Sequence, residues 1–313
     1  MVIKLYDLVP RPGGPSFSPA CLRARLALMH KRLPFGVTPV TYHDLRFHWK
    51  DKLGVEKATA PFIQKEDGSY LMDSVKIALW LDTTYPDRPS IFLPEAPVPV
   101  DVNSAEYKEA VTDFEKMLIS QVCLYSGQLW SHPLSCAGTL PPTGPAKDES
   151  GKLAPPFYRE VFKLYARRVV KSFDKETYEY WTCDDRLGPG VWASIQDNNE
   201  DATIKSVQST LKQLSEENLS DSVHFFSSPS TPGMKVRPSP LSFHVPRRPA
   251  HPGLLGRWQD FALMGVYGLL RSTSPKLAKE TFESLEAGRT GEWLARMNRA
   301  LPTPEVWERD PKE

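Results

Sequence analysis

A short apolar strand, Val2 to Leu8, runs into a proline- and glycine-rich loop through Pro15, and Ser18-Pro19 then opens a run with Leu22, Leu26, Met29 and Leu33 at helical spacing. A serine hydroxyl at the N-cap accepts a bond from an orphan N–H, and proline at the next position gives up a donor that has no partner there. The strand therefore delivers the chain straight into a helix N-terminus, which commits this region to an α/β arrangement. That helix end carries Ser16 and Ser18 and, three residues further on, Cys21. Its dipole and free N–H groups favour an anion, and a bound thiolate suits them.

The pattern that follows completes a small α/β unit. Phe35 to Tyr42 is rich in β-formers but holds Pro39, which points to an edge strand. Asp44 to Gly54 is polar, with a weak helical pattern and a glycine stop. Ala60 to Gln64 and Ser69 to Met72 flank Asp67-Gly68, a strong hairpin signal. Asp73-Ser74 opens a second helix with Ile77, Trp80, Leu81 and Tyr85 on one face, stopped by Pro86. The order βαβ, hairpin, α predicts a four-stranded mixed sheet with helices on both faces over residues 1–89.

A proline-punctuated linker over 90–100 leads to an all-α region over 101–313. Tyr107, Val111, Phe114, Leu118, Val122 and Tyr125 form one apolar stripe, and Phe157 to about Trp181 and Ala202 to Leu219 read as further helices. The stretch 131–156 reads as an exposed loop. Prolines at 229, 232, 238, 240, 246, 249 and 252 forbid helix and discourage sheet, so 227–255 reads as a second segment of low order. Helix resumes near Leu254, carries an apolar run to Leu270, and is followed by two shorter helices to about Leu301.

A length of 313 residues suits two domains, and a net charge of +1 gives no electrostatic reason to expect nucleic acid or an anionic membrane as partner. No apolar run is long enough to span a bilayer, and the start, with Lys4 and Asp7, is not a signal-peptide core. The four cysteines, Cys21, Cys123, Cys136 and Cys183, form no CxxC and no metal-spaced set with histidine. Reduced thiols in a cytoplasmic protein are the simplest expectation.

Taken together, Ser18-Pro19 with Arg23-Ala24-Arg25-Leu26-Ala27-Leu28, Thr59-Ala60-Pro61-Phe62-Ile63, Asp73-Ser74 with Ile77-Ala78 and Leu81, and the closing Tyr85-Pro86-Asp87-Arg88-Pro89 resemble the cytosolic glutathione transferases. Within that superfamily the chain is most similar to the bacterial β-etherases and the fungal etherase-like and Ure2-like branch. The likeness is good over residues 2–90 and again over Arg257 to Lys276. It implies a thioredoxin-like N-terminal domain followed by a helical-bundle domain, with glutathione as cosubstrate, a small hydrophobic or aromatic acceptor, and homodimers as in many relatives.

The resemblance also implies roles. Ser18 would donate to the glutathione sulfur and stabilise the thiolate, the reactive form of the thiol; its other reading is a plain N-cap. Ser16 is a neighbour that can take its place. Cys21 would support thiol–disulfide exchange, against a reading as a buried small hydrophobe. Pro61 would be a cis-proline that presents the Ala60 backbone to the cysteinyl part of the tripeptide, and Asp73 and Ser74 would hold the ammonium and carboxylate of its γ-glutamyl end. Arg46, Lys50 and Lys52 are candidates for the glycine carboxylate. Phe17, Phe114, Leu118, Tyr125, Trp130 and Tyr165 either line the acceptor pocket or belong to the core, as do Trp49 and Trp80.

One departure stands out. Relatives place Ser or Thr three residues before the aspartate of the buried helix near Trp258, whereas here Arg257 stands three before Asp260. Losing such a cap costs on the order of 1 kcal/mol. The expectation is a weaker second domain, with the span from Ser227 to about Leu255 either an insertion or sequence from an unspliced gene model.

Overall fold

The computed structural model describes residues 2–122, 157–187, 190–223, 225–226, 230, 232–233, 260–285 and 288–302. Four strands come first, β1 (Ile3–Leu8), β2 (Phe35–Val40), β3 (Phe62–Gln64) and β4 (Tyr70–Met72), in the spatial order β2-β1-β3-β4. β1 and β2 are parallel, and the other two pairings are antiparallel. Pro39 sits in β2, at the sheet edge, where its missing N–H breaks no ladder. The β3–β4 hairpin turns through Asp67-Gly68, with Gly68 at φ 85°, a conformation that suits glycine.

Between the strands run α1 (Pro19–His30), α2 (Tyr42–Asp44), a π-helical turn over Leu45–Trp49, α3 (Lys50–Leu53) and, after β4, α4 (Ser74–Thr84). The weak pattern after β2 thus resolves into three short helical pieces. The two faces of the sheet divide by strand alternation. Tyr6 and Phe62 stand in register and stack with centroids 4.3 Å apart, and Trp49 closes over them from the π-helical turn at 4.6 and 4.8 Å. Leu5, Ile63 and Leu71 alternate to the opposite face.

The helical part comprises α5 (Ala105–Val122), α6 (Phe157–Val169), α7 (Lys175–Thr182), α8 (Asp184–Leu187), α9 (Val191–Gln196), α10 (Glu200–Asn218), α11 (Asp260–Thr273), α12 (Pro275–Thr281) and α13 (Arg289–Ala300). The single helix expected over 157–181 is two. Its first half tightens into a 3₁₀ turn at Val170–Ser172, and Asp174 then caps a new helix by accepting from Thr177 N–H at 2.8 Å. Among the described residues no helix is long and apolar enough to cross a membrane.

α11, buried from Asp260 to Leu270, packs along α1. Their approach is close enough that a Cβ on Gly265 would lie 2.9 Å from the Pro19 carbonyl oxygen. Below this contact, Asp82 of α4 is a buried hub. It accepts from Lys31 Nζ at 2.7 Å, Ser90 Oγ at 2.9 Å, Ile91 N–H at 3.0 Å and Tyr107 O–H at 3.1 Å, tying α1, α4, the linker and α5 together.

The missing cap expected at the buried helix rests on residues that the structure does not describe. Arg257 and Trp258 lie outside the described residues. Asp260, fully buried, accepts from Phe226 N–H at 2.9 Å, Gly233 N–H at 3.3 Å and Trp293 Nε1–H at 2.8 Å. Among the described residues of 227–255, the exposed Ser230 donates to Glu95 through both N–H and Oγ, and Gly233 lies against the linker at Ile91 and Pro94. The rest of that span, and all of 131–156, lie outside the described residues.

Candidate functional site

The first helix start is built as its residues dictate. Ser18 has extended backbone at φ −82°, ψ 120°, Pro19 takes the first helical position, and Ser18 Oγ accepts from Cys21 N–H at 3.3 Å. Ser18 is half-buried at the helix end. No acidic residue occupies the first turn of α1 itself.

The two neighbouring candidates are committed elsewhere. Ser16 is buried and donates to Asp7 Oδ1 at 2.6 Å, while Arg25 Nη2 reaches Asp7 Oδ2 at 3.1 Å. Its hydroxyl belongs to a buried ion-pair network under the helix. Cys21 is fully buried, and its sulfur accepts from Leu8 N–H at 3.4 Å. Burial and then the Asp7 charge push its thiol well up, and hydrogen bonds involving Ser18 and Leu8 oppose this only in part. The thiol is a packed small side chain, held protonated.

The second helix start lies across from the first. The Ala60–Pro61 peptide is cis, and the Pro61 carbonyl accepts from Asp73 N–H at 3.1 Å. Asp73 caps α4, accepting from Val75 N–H at 2.7 Å and Lys76 N–H at 3.2 Å. It does so at φ 85°, a left-handed region that costs a non-glycine residue on the order of 1–3 kcal/mol. Ser74 follows, 5 % exposed, with Oγ accepting from Arg23 Nη2 at 3.2 Å. This contact joins the two helix starts across 51 residues of sequence. The carboxyl of Glu115 in α5 is raised from its ordinary value, by burial first and then by the charge of Asp73, so it lies within electrostatic reach of this end.

The basic residues proposed for the far end separate. Arg46 pairs with Glu176 of α7 at 3.1 Å and lies 5.2 Å from the Tyr180 ring centroid. Lys52 Nζ sits 4.5 Å from the Trp49 centroid, and Lys50 is half-buried. The aromatic candidates separate too. Phe17 and Tyr165 are buried, joined through a cluster with Tyr42, Phe173, Trp181 and Phe162. Phe114 is fully buried against Phe92, on the linker side. These three are core. The side chain of Leu118, and Tyr125 and Trp130, lie outside the described residues. Trp49 is core on the sheet, and Trp80 is half-buried against Tyr85.

Sequence reasoning missed Arg23 and Glu115. Arg23 sits on the same helix as Ser18, yet the spacing of one helix carries no sign of Ser74. Glu115 lies beside the core residue Phe114, and nothing local distinguishes it from a solvated charge.

Comparison with known proteins bears on the fold. Residues 17–84 match the family model "Glutathione S-transferase, N-terminal domain". The chain is similar in fold to the glutathione transferase GSTFuA3 of Phanerochaete chrysosporium, with 16% identity, 98% of each chain covered and a TM-score of 0.56. It is similar also to two glutathione S-transferases of Ceriporiopsis subvermispora, each solved in complex with glutathione. CsGST63524 gives 16% identity, full coverage of both chains and a TM-score of 0.51. CsGST83044 gives 17% identity, 96% and 98% coverage and a TM-score of 0.52. The chain has the fold of the cytosolic glutathione transferases, with residues 17–84 as its glutathione S-transferase N-terminal domain.

Proposed function

We propose that this protein is a serine-type glutathione transferase in which Ser18 stabilises the glutathione thiolate for attack on an electrophilic or aryl-ether carbon. The observation that carries this reading is the half-buried Ser18 at the N-terminus of α1, a helix that the Arg23–Ser74 contact ties to the Asp73-Ser74 helix start. The fold relatives solved with glutathione support the choice of cosubstrate.

The chemistry follows from the residues. The thiol proton goes to solvent, and the Ser18 O–H and the α1 dipole stabilise the charge left on sulfur, which lowers the thiol pKa and raises the reactive fraction near neutral pH. The sulfur lone pair forms an S–C bond as the leaving group, a halide or an aryloxide, departs with its electron pair; an aryloxide then takes a proton from solvent. Asp73, Ser74 and the Ala60 backbone would hold the tripeptide so that one end of it is fixed while the sulfur reaches Ser18. Ser16 has no part in this, since its hydroxyl is spent on Asp7.

A thiol reductase working through Cys21 is disfavoured, because that sulfur is fully buried and its thiol is pushed up. The test is conjugation of a chlorinated nitroarene, and cleavage of a model β-aryl ether, by the wild type, Ser18→Ala and Cys21→Ala. Ser18→Ala should lower the rate at neutral pH about 10–100-fold and raise the pKa of the bound thiol. Cys21→Ala should keep both. Glutathione binding without turnover of any electrophile would instead favour a non-catalytic binding protein.

A further inference from the structure

The loop between β1 and α1 has to deliver Ser18 to one place, and Pro10, Pro12, Gly13, Gly14 and Pro15 bring it no side chain that can bond to the sheet. The chain turns where Gly14 N–H donates to the Arg11 carbonyl at 3.0 Å, with Gly13 at φ 76°. The outgoing leg is tied to β2 by Val9 N–H on the Val40 carbonyl at 2.9 Å. On the return leg Phe17 N–H reaches the Leu8 carbonyl only at 3.4 Å, a long hydrogen bond. The short bond there runs from Ser16 Oγ to Asp7 Oδ1, at 2.6 Å, with Ser16 4 % and Asp7 1 % exposed. A hydroxyl that donates to a carboxylate makes a stronger bond than a neutral pair does.

Asp7 uses both of its oxygens around the same helix start. Oδ2 accepts from Arg25 Nη2 at 3.1 Å, and Arg25 stands on α1 about two turns beyond Ser18. One carboxylate, set on β1 opposite Pro39, thus holds the chain both ahead of Ser18 and after it. Packed apolar side chains often join two elements as firmly as a buried ionic group does. What the carboxylate adds is a fixed distance and direction.

We propose that Asp7 is a positioning residue for Ser18: through the Ser16 hydroxyl it fixes the chain entering α1, so that the Ser18 hydroxyl meets the glutathione sulfur at one distance and angle. The proposal rests on the serine-type reading above and deepens it. Ser16 touches neither sulfur nor acceptor; it acts through its backbone, which is joined to Ser18 across Phe17. The Phe17 ring packs with Tyr42 and Phe173 at centroid distances of 6.3 and 6.2 Å, contacts that tolerate a slide the Ser16 bond does not. A misplacement of about 1 Å near the reacting atoms costs about 10²-fold in rate, so this tie has a catalytic effect out of proportion to its strength.

The test reads the pKa of bound glutathione thiol, from thiolate absorbance against pH, together with glutathione affinity and turnover of a chlorinated nitroarene. Wild type, Ser16→Ala, Ser18→Ala and the double variant form a cycle. Ser16→Ala keeps the Asp7 carboxylate and removes only the bond to it. It should raise the thiol pKa and lower both the thiolate fraction and kcat about 3–10-fold at neutral pH, with glutathione affinity within about 3-fold. In the Ser18→Ala background the same change should move neither pKa nor kcat. Ser16→Thr, which keeps the hydroxyl, should recover part of the loss. Asp7→Asn keeps an acceptor without the charge, so the effect of Ser16→Ala should shrink in that background. An unmoved thiol pKa in Ser16→Ala, an equal effect with and without the Ser18 hydroxyl, or an undiminished one in Asp7→Asn overturns the proposal and leaves the serine-type reading standing. A wild-type thiol pKa in Ser18→Ala overturns both. Where Ser16→Ala does not fold, Ser16→Cys, a weaker donor, takes its place in the cycle with the same expected directions.

Discussion

Lys31 Nζ lies 2.7 Å from Asp82 Oδ1 with both side chains fully buried, at the seam where the first helix meets the linker. Burial lowers the Lys31 pKa, and the adjoining Asp82 charge opposes that shift. The lysine also donates to the Tyr85 carbonyl at 3.0 Å, so neither charge is left to the low-dielectric interior alone. Lys31→Met would strand the Asp82 carboxylate, and the expected loss is about 3–5 kcal/mol in urea unfolding. Tyr107→Phe removes one of several donors to Asp82 and should cost about 1 kcal/mol. Equal effects of the two variants would show that the ion pair is not the dominant part of the hub.

His30, next in sequence, gives the protein an acid sensitivity. It is buried, its Nε2 lies 3.0 Å from the Ser90 carbonyl oxygen, and its ring meets Phe261 of α11 edge-on. The carbonyl can only accept, so Nε2 carries the proton of the neutral ring. Burial, with smaller contributions from Lys31 and Arg32, holds its pKa down at about 4, against the pull of the Ser90 carbonyl and Asp82. The unfolded chain binds that proton near 6.5 and the folded chain near 4, so the unfolded state gains as pH falls. The contribution is complete above about pH 6.5 and drains away towards pH 4, by about 3 kcal/mol in all. Stability curves at pH 7 and pH 5 should differ accordingly, and His30→Gln should flatten that slope.

Gly265 is the position where α11 crosses the start of α1. With a Cβ 2.9 Å from a backbone oxygen of Pro19, Gly265→Ala cannot be relieved by a side-chain rotation. A cost of about 1–3 kcal/mol is expected. Because Pro19 follows Ser18 directly, glutathione affinity should fall as well. Lost stability with unchanged affinity would mean that the helix moves as a rigid piece and keeps its end intact.

Asp73 separates binding from folding. Asp73→Gly relieves the positive φ and removes the α4 cap, two effects of similar size and opposite sign, so thermal stability should change by no more than about 1 kcal/mol. On the proposed role of Asp73 as partner of the ammonium, affinity for glutathione should drop at least about 10-fold. A large stability loss with intact affinity would assign Asp73 to architecture alone.

The parts of this protein that were legible in its sequence are those written in neighbouring residues. Ser18-Pro19, Asp67-Gly68 and Asp73-Ser74 each encode their turn or cap within a few positions, and the structure has them there. Pro39 marks an edge strand for a purely local reason, its missing donor. What escaped was set by distance. The break between α6 and α7 rests on the Asp174 cap, whose signal is weaker than the apolar periodicity running through it. Whether Phe17 or Phe114 lines a pocket or fills a core depends on Phe173 and Phe92, which come from other elements. Ser16 and Ser18 look alike on paper, and the bond that occupies the Ser16 hydroxyl runs to Asp7 on β1.

The carboxylate of Asp260 has a reach that its place inside the helical part conceals. Through Trp293 it grips α13, and through Phe226 and Gly233 it grips the chain beside the linker, while its own helix leans on Pro19. The last described helix is thus braced, by way of one side chain, against the first. Clipping α13 away or shortening the indole at Trp293 should slacken the footing of Ser18 without touching any residue near it.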